Sequence, residues 1–215
     1  MAFAVQGATL RADLLPTSSM TPTHLLYLHG FRSSPQSAKA RRMADWVEKH
    51  EPRLTWWCPQ LPPSPREAIE LLARGVSDWP IGRTVIVGSS LGGFYATVMA
   101  ERLRCKAGLL NPAVDPARDL KRHIGETRAW HSEERFFFLP AYVDQLRDMT
   151  PARLAHPSRY FAVIATGDEV LDWREMSGRY RGAHLRIVEG SDHALSDFDT
   201  HLPHLLHFLE LARSP

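Results

Sequence analysis

Short apolar runs alternate with longer segments of helical periodicity along most of this chain. Runs of strand length begin at His24, Leu54, Arg83, Ala107, Tyr160 and Leu185. Helical patterns cover about 34–50, 64–79, 91–104, 172–180 and 196–212, and Ser34-Pro35 is expected to open the first of them. This alternation favours an α/β fold, because helices supply the right-handed crossovers that parallel strands need. We predict a mainly parallel sheet of about six to seven strands with helices on both faces.

The alternation stops between residues 111 and 156. Four prolines (at 112, 116, 140 and 151) and the cluster Phe136-Phe137-Phe138 interrupt the pattern there, with helical pieces between them. A long irregular stretch inside a compact domain is commonly a lid or a binding loop. We therefore predict one domain over residues 1–215 with a lid or cap insertion at about 111–156. The three phenylalanines are candidate walls of a substrate pocket, with filling of the core as the alternative.

Composition and charge narrow the classes of function. Hydrophobic residues make up 44% of the 215 residues, and a net charge of +2 is too balanced to indicate nucleic acid as the main partner. No apolar run is long enough for a membrane span, and no secretion signal is recognised at the N-terminus. The two cysteines, Cys58 and Cys105, have neither metal-binding nor disulfide spacing, which favours a reducing, cytoplasmic location. Residues 1–20 are the least informative part of the sequence. Their pattern is compatible with an additional edge strand over residues 4–10 and equally with a loose arm.

The strongest chemical signal is the sequence Gly88-Ser89-Ser90-Leu91-Gly92, which matches the pattern G-x-S-x-G. It lies between a predicted strand and a predicted helix, as a nucleophile elbow requires. Gly88 and Gly92 are expected because a side chain there would collide with the neighbouring backbone. Glycine-rich turns of this kind also bind phosphate, but a phosphate loop needs a lysine soon after the turn, and the next one is Lys106. Ser90 is therefore predicted to be a nucleophile of the α/β-hydrolase fold.

His29-Gly30-Phe31 follows the first predicted strand, which begins at His24. In the α/β-hydrolase fold, the loop after that strand and the residue after the nucleophile each donate a backbone N–H to the oxyanion hole. These positions correspond to the amides of Phe31 and Leu91. Donors that are fixed in advance stabilise the negative charge that develops in the transition state. The alternative is a plain loop at the end of a strand.

A serine nucleophile needs a base, and the base needs an acid that orients it. Asp168 and His193 each follow a predicted strand, and they appear in the expected order of serine, acid and histidine. Among three neighbouring carboxylates we predict Asp168 as the acid. The longer Glu169 is expected to point away, and Asp172 to cap the next helix.

A family resemblance rests on five segments of this sequence. They are Tyr27-Leu-His-Gly-Phe-Arg-Ser-Ser-Pro35, Gly88-Ser-Ser-Leu-Gly-Gly93, Asn111-Pro112, Thr166-Gly-Asp-Glu-Val-Leu-Asp172 and Gly190-Ser-Asp-His193. With them the chain resembles the YqiA-like esterase family of small α/β hydrolases over about residues 24–200. The resemblance implies esterase activity on acyl esters or thioesters, and it places the nucleophile, acid and base on the three residues predicted above.

No metal or cofactor is predicted. His201, His204 and His207 share a face of the last predicted helix, but no cysteine or carboxylate cluster completes a metal site, so an ordinary helix surface is favoured. The predicted function is a serine esterase that forms an acyl-enzyme and acts on a small acyl ester or thioester. An acyltransferase or acyl-CoA thioesterase with the same triad remains an alternative. So does a non-catalytic binding protein on a hydrolase scaffold.

Overall fold

The computed structural model describes residues 21–128 and 135–212. Its strands are β1 (His24–Leu28), β2 (Thr55–Trp57), β3 (Thr84–Ser89), β4 (Lys106–Leu110), β5 (Gly125–Arg128), β6 (Arg135–Phe138), β7 (Tyr160–Ala165) and β8 (His184–Val188). Its helices are α1 (Ala38–His50), α2 (Pro65–Gly75), α3 (Leu91–Leu103), α4 (Pro116–Asp119), α5 (Pro140–Met149), α6 (Trp173–Arg179) and α7 (Phe198–Phe208). The predicted edge strand over residues 4–10 lies outside the described residues.

Six strands form one parallel sheet in the order β2-β1-β3-β4-β7-β8. This confirms the predicted α/β fold with a mainly parallel sheet. From β1 the chain moves outward to β2, then returns to β3 on the other side of β1. The crevice at the carboxyl ends of β1 and β3 is therefore a topological switch point, where open α/β sheets bind their ligands.

Alternate residues of the central strands face two separate cores. On β1, Leu25 and Tyr27 pack with helices α1 and α7, whereas Leu26 and Leu28 pack on the opposite face with α2, α3, α5 and α6. Strand β3 is buried along its whole length, as expected for a central parallel strand covered on both faces. Two layers of helices thus hold β1 and β3 rigidly, and with them the loops that follow.

The structure confirms one of two predicted helix starts and corrects the other. Ser64 caps α2 and accepts a hydrogen bond from the backbone N–H of Glu67, at the residue where the second helical pattern was predicted to begin. The predicted start of α1 at Ser34 is wrong, because the helix begins at Ala38 after Ser37. The Ser34 side chain instead accepts from the amide of Gln36, which stabilises a turn before the helix.

The segment between β4 and β7 contains α4, an antiparallel hairpin of β5 and β6, and α5. The hairpin was not predicted from the sequence. Helix α5 packs against α2, where the Gln145 amide oxygen accepts from the Ser64 hydroxyl at 3.2 Å and from the Arg66 amide at 3.0 Å. In the described ranges 21–128 and 135–212, no helix combines the length and apolar character that a membrane crossing requires.

Candidate active site

Ser90 occupies a sharp turn between β3 and α3. Its backbone has φ 56° and ψ −122°, a positive-φ conformation that non-glycine residues rarely adopt and that the surrounding structure must hold in place. A Cβ atom on Gly88 would lie 2.2 Å from the carbonyl oxygen of Gly92, and one on Gly92 would lie 2.0 Å from that of Leu28. Both distances are far inside van der Waals contact. The close approach of α3 to the sheet therefore requires glycine at both predicted positions.

The side chains of Ser90, His193 and Asp168 form a hydrogen-bonded chain. Nε2 of His193 lies 3.0 Å from Oγ of Ser90, and Nδ1 lies 2.8 Å from Oδ2 of Asp168. The Asp168 side chain is fully buried, whereas that of His193 is 20% exposed. The structure thus brings together the three residues that the sequence singled out, at the carboxyl ends of β3, β7 and β8.

The other oxygen of the Asp168 carboxylate is also held. Oδ1 accepts hydrogen bonds from the amides of Val170 and Leu171, both at 2.8 Å. One carboxylate oxygen is therefore fixed by the backbone, which leaves Oδ2 aimed at the imidazole. An acid held in this way can keep a histidine ring in one orientation and stabilise its protonated form.

The two neighbouring carboxylates have different tasks. Asp172 caps α6 by accepting from the Arg174 amide at 2.8 Å, as predicted. The expectation that Glu169 points away is wrong, because its Oε2 accepts from the backbone N–H of His193 at 2.9 Å. A glutamate is long enough to reach across to the histidine loop, and the amide it meets there is a donor that needs a partner.

Two more side chains hold the loop that carries His193. Asn111 is completely buried, and its Nδ2 donates to the backbone carbonyls of Asp192 at 3.0 Å and His193 at 3.2 Å. Its Oδ1 accepts from the amide of Ala165 at 2.8 Å. Lys39 on α1 donates to the carbonyl of Ala194. Three successive carbonyls of the loop are therefore clamped by side chains from two other elements.

The environment of Lys39 is electrostatically balanced. Burial lowers the pKa of its ammonium group to about 8, against the opposing attraction of Asp192 and Asp168. The charged form is thus supported by two carboxylates, one of which faces His193.

On the opposite side of Ser90, the loop after β1 passes close to the hydroxyl. A Cβ on Gly30 would lie 3.2 Å from the Cβ of Ser90, which shows how closely the backbone approaches. His29 is buried, its Nδ1 lies 3.0 Å from the Gly30 carbonyl, and its Nε2 accepts from the amide of Leu61 at 3.1 Å. These bonds need a neutral imidazole with its hydrogen on Nδ1. Burial favours the same form by lowering the pKa of His29.

One family model covers nearly all of this architecture. The model of the uncharacterised protein family UPF0227 matches residues 24–210, from the first strand of the sheet to the end of α7. The chain belongs to UPF0227. This is the YqiA-like family that the motifs predicted, so the resemblance is confirmed.

Solved structures share the fold of this UPF0227 protein at low sequence identity. A proposed hydrolase from Agrobacterium vitis S4 is similar with a TM-score of 0.68 and 16% identity, covering 89% of this chain and 91% of that one. Est1E from Butyrivibrio proteoclasticus, solved with ferulic acid bound, has a TM-score of 0.63 and 14% identity over 89% and 88%. Mouse alpha/beta hydrolase domain-containing protein 10 is similar with a TM-score of 0.61 and 13% identity. The match covers 83% of this chain and 85% of that one. The chain therefore has the α/β-hydrolase fold.

A cavity of about 310 Å³ opens in front of Ser90. It is lined by Phe31, Arg32, Ser90, Leu91, Ala113, Pro116, Asp119, Leu120, Arg122, His123, Val170, Leu171 and His193. Both residues predicted for the oxyanion hole, Phe31 and Leu91, are among them. The β4–β7 segment contributes the wall from Ala113 to His123, so the first part of the predicted insertion adjoins Ser90.

The phenylalanine cluster has a different place from the one expected for a pocket wall. Phe138 is buried, and its ring packs edge-to-face on that of Phe31 with centroids 5.4 Å apart. Phe137 is 63% exposed. Neither of these two described side chains lines the cavity at Ser90, and the side chain of Phe136 lies outside the described residues. Phe138 thus supports the loop after β1 from behind.

The three histidines of α7 do not converge on one point. His201 is buried, so the expectation that it lies on an ordinary helix surface is wrong. Its Nε2 lies 3.0 Å from Oδ2 of Asp197, and its Nδ1 lies 3.0 Å from Nε of Arg186. His204 and His207 are exposed. Across the described residues, no three histidine, cysteine or carboxylate side chains come close enough together to hold a metal ion.

Sequence reasoning overlooked the clamp on the histidine loop. Asn111 was visible only as part of a family motif, although it directly follows a strand next to β3, where functional side chains collect in this fold. Lys39 carried no signal at all, because its partner lies 155 residues away along the chain.

Proposed function

We propose that this UPF0227 protein is a serine esterase that cleaves acyl esters or thioesters through an acyl-enzyme on Ser90. The observation that carries the proposal is the hydrogen-bonded chain from Ser90 Oγ through His193 to the buried Asp168, at 3.0 and 2.8 Å. A serine hydroxyl becomes a competent nucleophile when such a base and orienting acid adjoin it. The proposal places that chemistry at the switch point of the sheet.

In the proposed first step, His193 Nε2 takes the proton of the Ser90 hydroxyl while Oγ attacks the acyl carbonyl. The carbonyl oxygen gains a negative charge, which the backbone amides of Phe31 and Leu91 stabilise. When the tetrahedral intermediate collapses, the bond to the leaving alcohol or thiol breaks, and the leaving group takes the proton from His193. The acyl group remains on Ser90.

In the second step, water attacks the acyl-enzyme. His193 removes a proton from the water and returns it to Ser90 Oγ as the acid is released. Asp168 stays ionised throughout and stabilises the imidazolium in both steps. The chemistry needs no cofactor.

Two further parts belong to the proposal. The segment of residues 111–156 acts as a cap, since its residues Ala113–His123 already form one wall of the cavity at Ser90.

The proposed location is cytoplasmic. Two free thiols, Cys58 and Cys105, support this part of the proposal, because burial raises the pKa of each to about 12. Thiols of this kind are unreactive and suit a reducing compartment.

The strained backbone of Ser90 favours an enzyme over a binding protein on the same scaffold. A positive-φ serine costs folding free energy, which a protein that only binds its ligand has no need to bear. The choice between water and another acyl acceptor depends on the second substrate, so acyl transfer remains the alternative within the same mechanism.

The test is hydrolysis of 4-nitrophenyl butyrate by the wild type and two serine variants. Ser90→Ala should lower kcat/KM by roughly 10⁴-fold or more, because triad members act as a unit. Ser89→Ala changes the neighbouring buried serine at the end of β3 and is the matched control, with a far smaller loss. Equal losses in the two variants would contradict the proposed mechanism. Product analysis with added alcohol or thiol separates hydrolysis from acyl transfer.

A further inference from the structure

The cavity in front of Ser90 has two chemically different parts. Among the described residues, most of the lining is apolar, and the side chains that share this character are Phe31, Leu91, Ala113, Pro116, Leu120, Val170 and Leu171. The rest of the described lining includes Arg32, Arg122 and His123, together with the carboxylate of Asp119. A site for a purely apolar ester would have no use for two arginines at this position.

Two separate segments of the chain bring the arginines to the cavity. Arg32 directly follows His29-Gly30-Phe31, here called the oxyanion loop, at a position where the backbone turns with φ 60°. Arg122 lies in the 3-10 turn Lys121–His123, shortly after the end of α4. The His123 ring packs on Phe31 with centroids 5.3 Å apart, which fixes this turn against the oxyanion loop. Both arginines are therefore placed by backbone that belongs to the site.

Arg122 contacts the imidazole of His123, and its Nε lies 3.4 Å from Nε2 of that ring. The pKa of His123 is lowered by burial and further by the charges of Arg122 and Arg32, so both guanidinium groups act on one imidazole. Asp119 is a carboxylate in the same lining, but it accepts a hydrogen bond from Nε of Arg118 at 2.8 Å. Arg118 is shared with Glu175, which is not among the lining residues.

We propose that the natural substrate carries an anionic group, a carboxylate or a phosphate, which binds between Arg32 and Arg122 while the acyl carbonyl faces Ser90. This inference rests on the proposed function and names its substrate class. A guanidinium group binds such oxyanions through paired N–H donors, and it keeps donors for a second partner. The apolar wall then binds the carbon chain that joins the anion to the ester.

A larger adjoining cavity fits the same view. Its volume is about 580 Å³, and it shares Phe31, Arg32 and Leu91 with the cavity at Ser90. Its lining also includes Arg74 and the carboxylate of Glu67. Arg32 therefore stands where the two cavities meet, and an anion bound there lies next to the oxyanion loop whichever cavity holds the rest of the substrate.

The test compares two esters that differ only at the end of the acyl chain. The 4-nitrophenyl half-ester of adipic acid has a carboxylate where 4-nitrophenyl hexanoate has a methyl group. We expect the wild type to favour the half-ester in kcat/KM by about tenfold, which corresponds to about 1.4 kcal/mol. The preference should shrink as salt is added, because exposed charges are screened.

Arg122→Gln and Arg32→Gln should each reduce this preference ratio to near unity. Lys121→Gln is the matched control, since it removes a neighbouring positive charge of the same turn that does not line the cavity. The control should keep the wild-type ratio. A wild type without preference for the half-ester, or a ratio that survives both arginine variants, overturns the inference.

Binding to the Ser90→Ala variant separates this inference from the proposed function. Calorimetry with both esters measures the preference for the anion without turnover. If Ser90→Ala binds the half-ester more tightly and the wild type hydrolyses neither ester, the anion site is supported and the esterase is contradicted. If the wild type hydrolyses both esters and Ser90→Ala binds them equally well, the esterase is supported and the anion site is contradicted. Competition by benzoate and phenylphosphonate, with benzamide as the neutral control, distinguishes carboxylate from phosphate, and no advantage of either anion over benzamide counts against the site.

Discussion

Replacement of Asn111 by alanine tests how the histidine loop is held. The side chain is completely buried and makes three hydrogen bonds, two to loop carbonyls and one from the amide of Ala165. Its truncation leaves the Ala165 amide and the His193 carbonyl without this partner, whereas the Asp192 carbonyl still accepts from the amide of Leu195 at 3.0 Å. Each unsatisfied group costs about 1–3 kcal/mol when buried, and the His193 carbonyl, at the edge of the site, falls at the lower end.

The backbone adds to this cost. Asn111 has φ 41°, in the left-handed region that asparagine tolerates better than alanine, a difference of about 1 kcal/mol. The sum is about 4 kcal/mol, a large part of the roughly 5–15 kcal/mol that stabilises a typical domain. Urea unfolding followed by tryptophan fluorescence measures it directly.

Activity should fall more than lost stability explains. If the loop shifts by about 1 Å, Nε2 of His193 no longer meets Ser90 Oγ, and a misplacement of that size costs about 10²-fold in rate. Hydrolysis of 4-nitrophenyl butyrate is measured at a temperature where the variant is fully folded. Asn111→Asp keeps the size and the acceptor, but turns an oxygen toward the two carbonyls, so it should lose activity as well.

The matched control is Thr97→Val. Thr97 is also buried, and its hydroxyl lies 3.0 Å from the Gly93 carbonyl and 2.8 Å from the Tyr180 hydroxyl, away from the histidine loop. It should lose stability and keep activity within about threefold. If folded Asn111→Ala is as active as this control, the loop is positioned without Asn111 and the reasoning is refuted.

Three other changes test separate parts of the account. Asp168→Asn should lower turnover by as much as ~10⁴-fold, because the imidazole loses its orientation. Asp172→Asn should lower the free energy of unfolding in urea by up to about 1 kcal/mol and change activity little. The reverse pattern would make Asp172 the acid. Gly92→Ala should cost more than about 3 kcal/mol or prevent folding because its Cβ would lie 2.0 Å from a backbone oxygen, whereas Gly82→Ala meets nothing within 4 Å and should be neutral. The pKa of His29 is lower in the folded protein than in the unfolded chain. As the pH falls below about 6.5, the unfolded chain therefore binds a proton on His29 before the folded protein does, and the free energy of unfolding decreases. His29→Gln should therefore lose less stability than the wild type between pH 7 and pH 5 in urea unfolding, and parallel losses would contradict the neutral imidazole.

The parts of the site that the sequence predicted are those determined by local structure. Ser90 could be placed because the glycines around it and the strand before it are visible in a few consecutive residues. Asp168 and His193 followed because each begins a loop at the end of a strand, and parallel strands bring all such loops to one edge of the sheet.

The parts that were missed depend on contacts between distant elements. Lys39 meets the histidine loop only because α1 packs on the same face as α7. Glu169 was expected to point away, yet the position of its carboxylate is decided by an amide on the neighbouring loop. The β5–β6 hairpin was not predicted, because its strands are only four residues long and prolines surround them.

Covalent labelling of the nucleophile tests the central claim most directly. A fluorophosphonate probe reacts with serines activated by a triad, and digestion with mass spectrometry identifies the modified residue. We predict one label on Ser90 in the wild type, the same label in Ser89→Ala, and none in Ser90→Ala. A folded wild-type protein that takes up no probe, or a label found on Ser89, would contradict the proposal that Ser90 is the nucleophile.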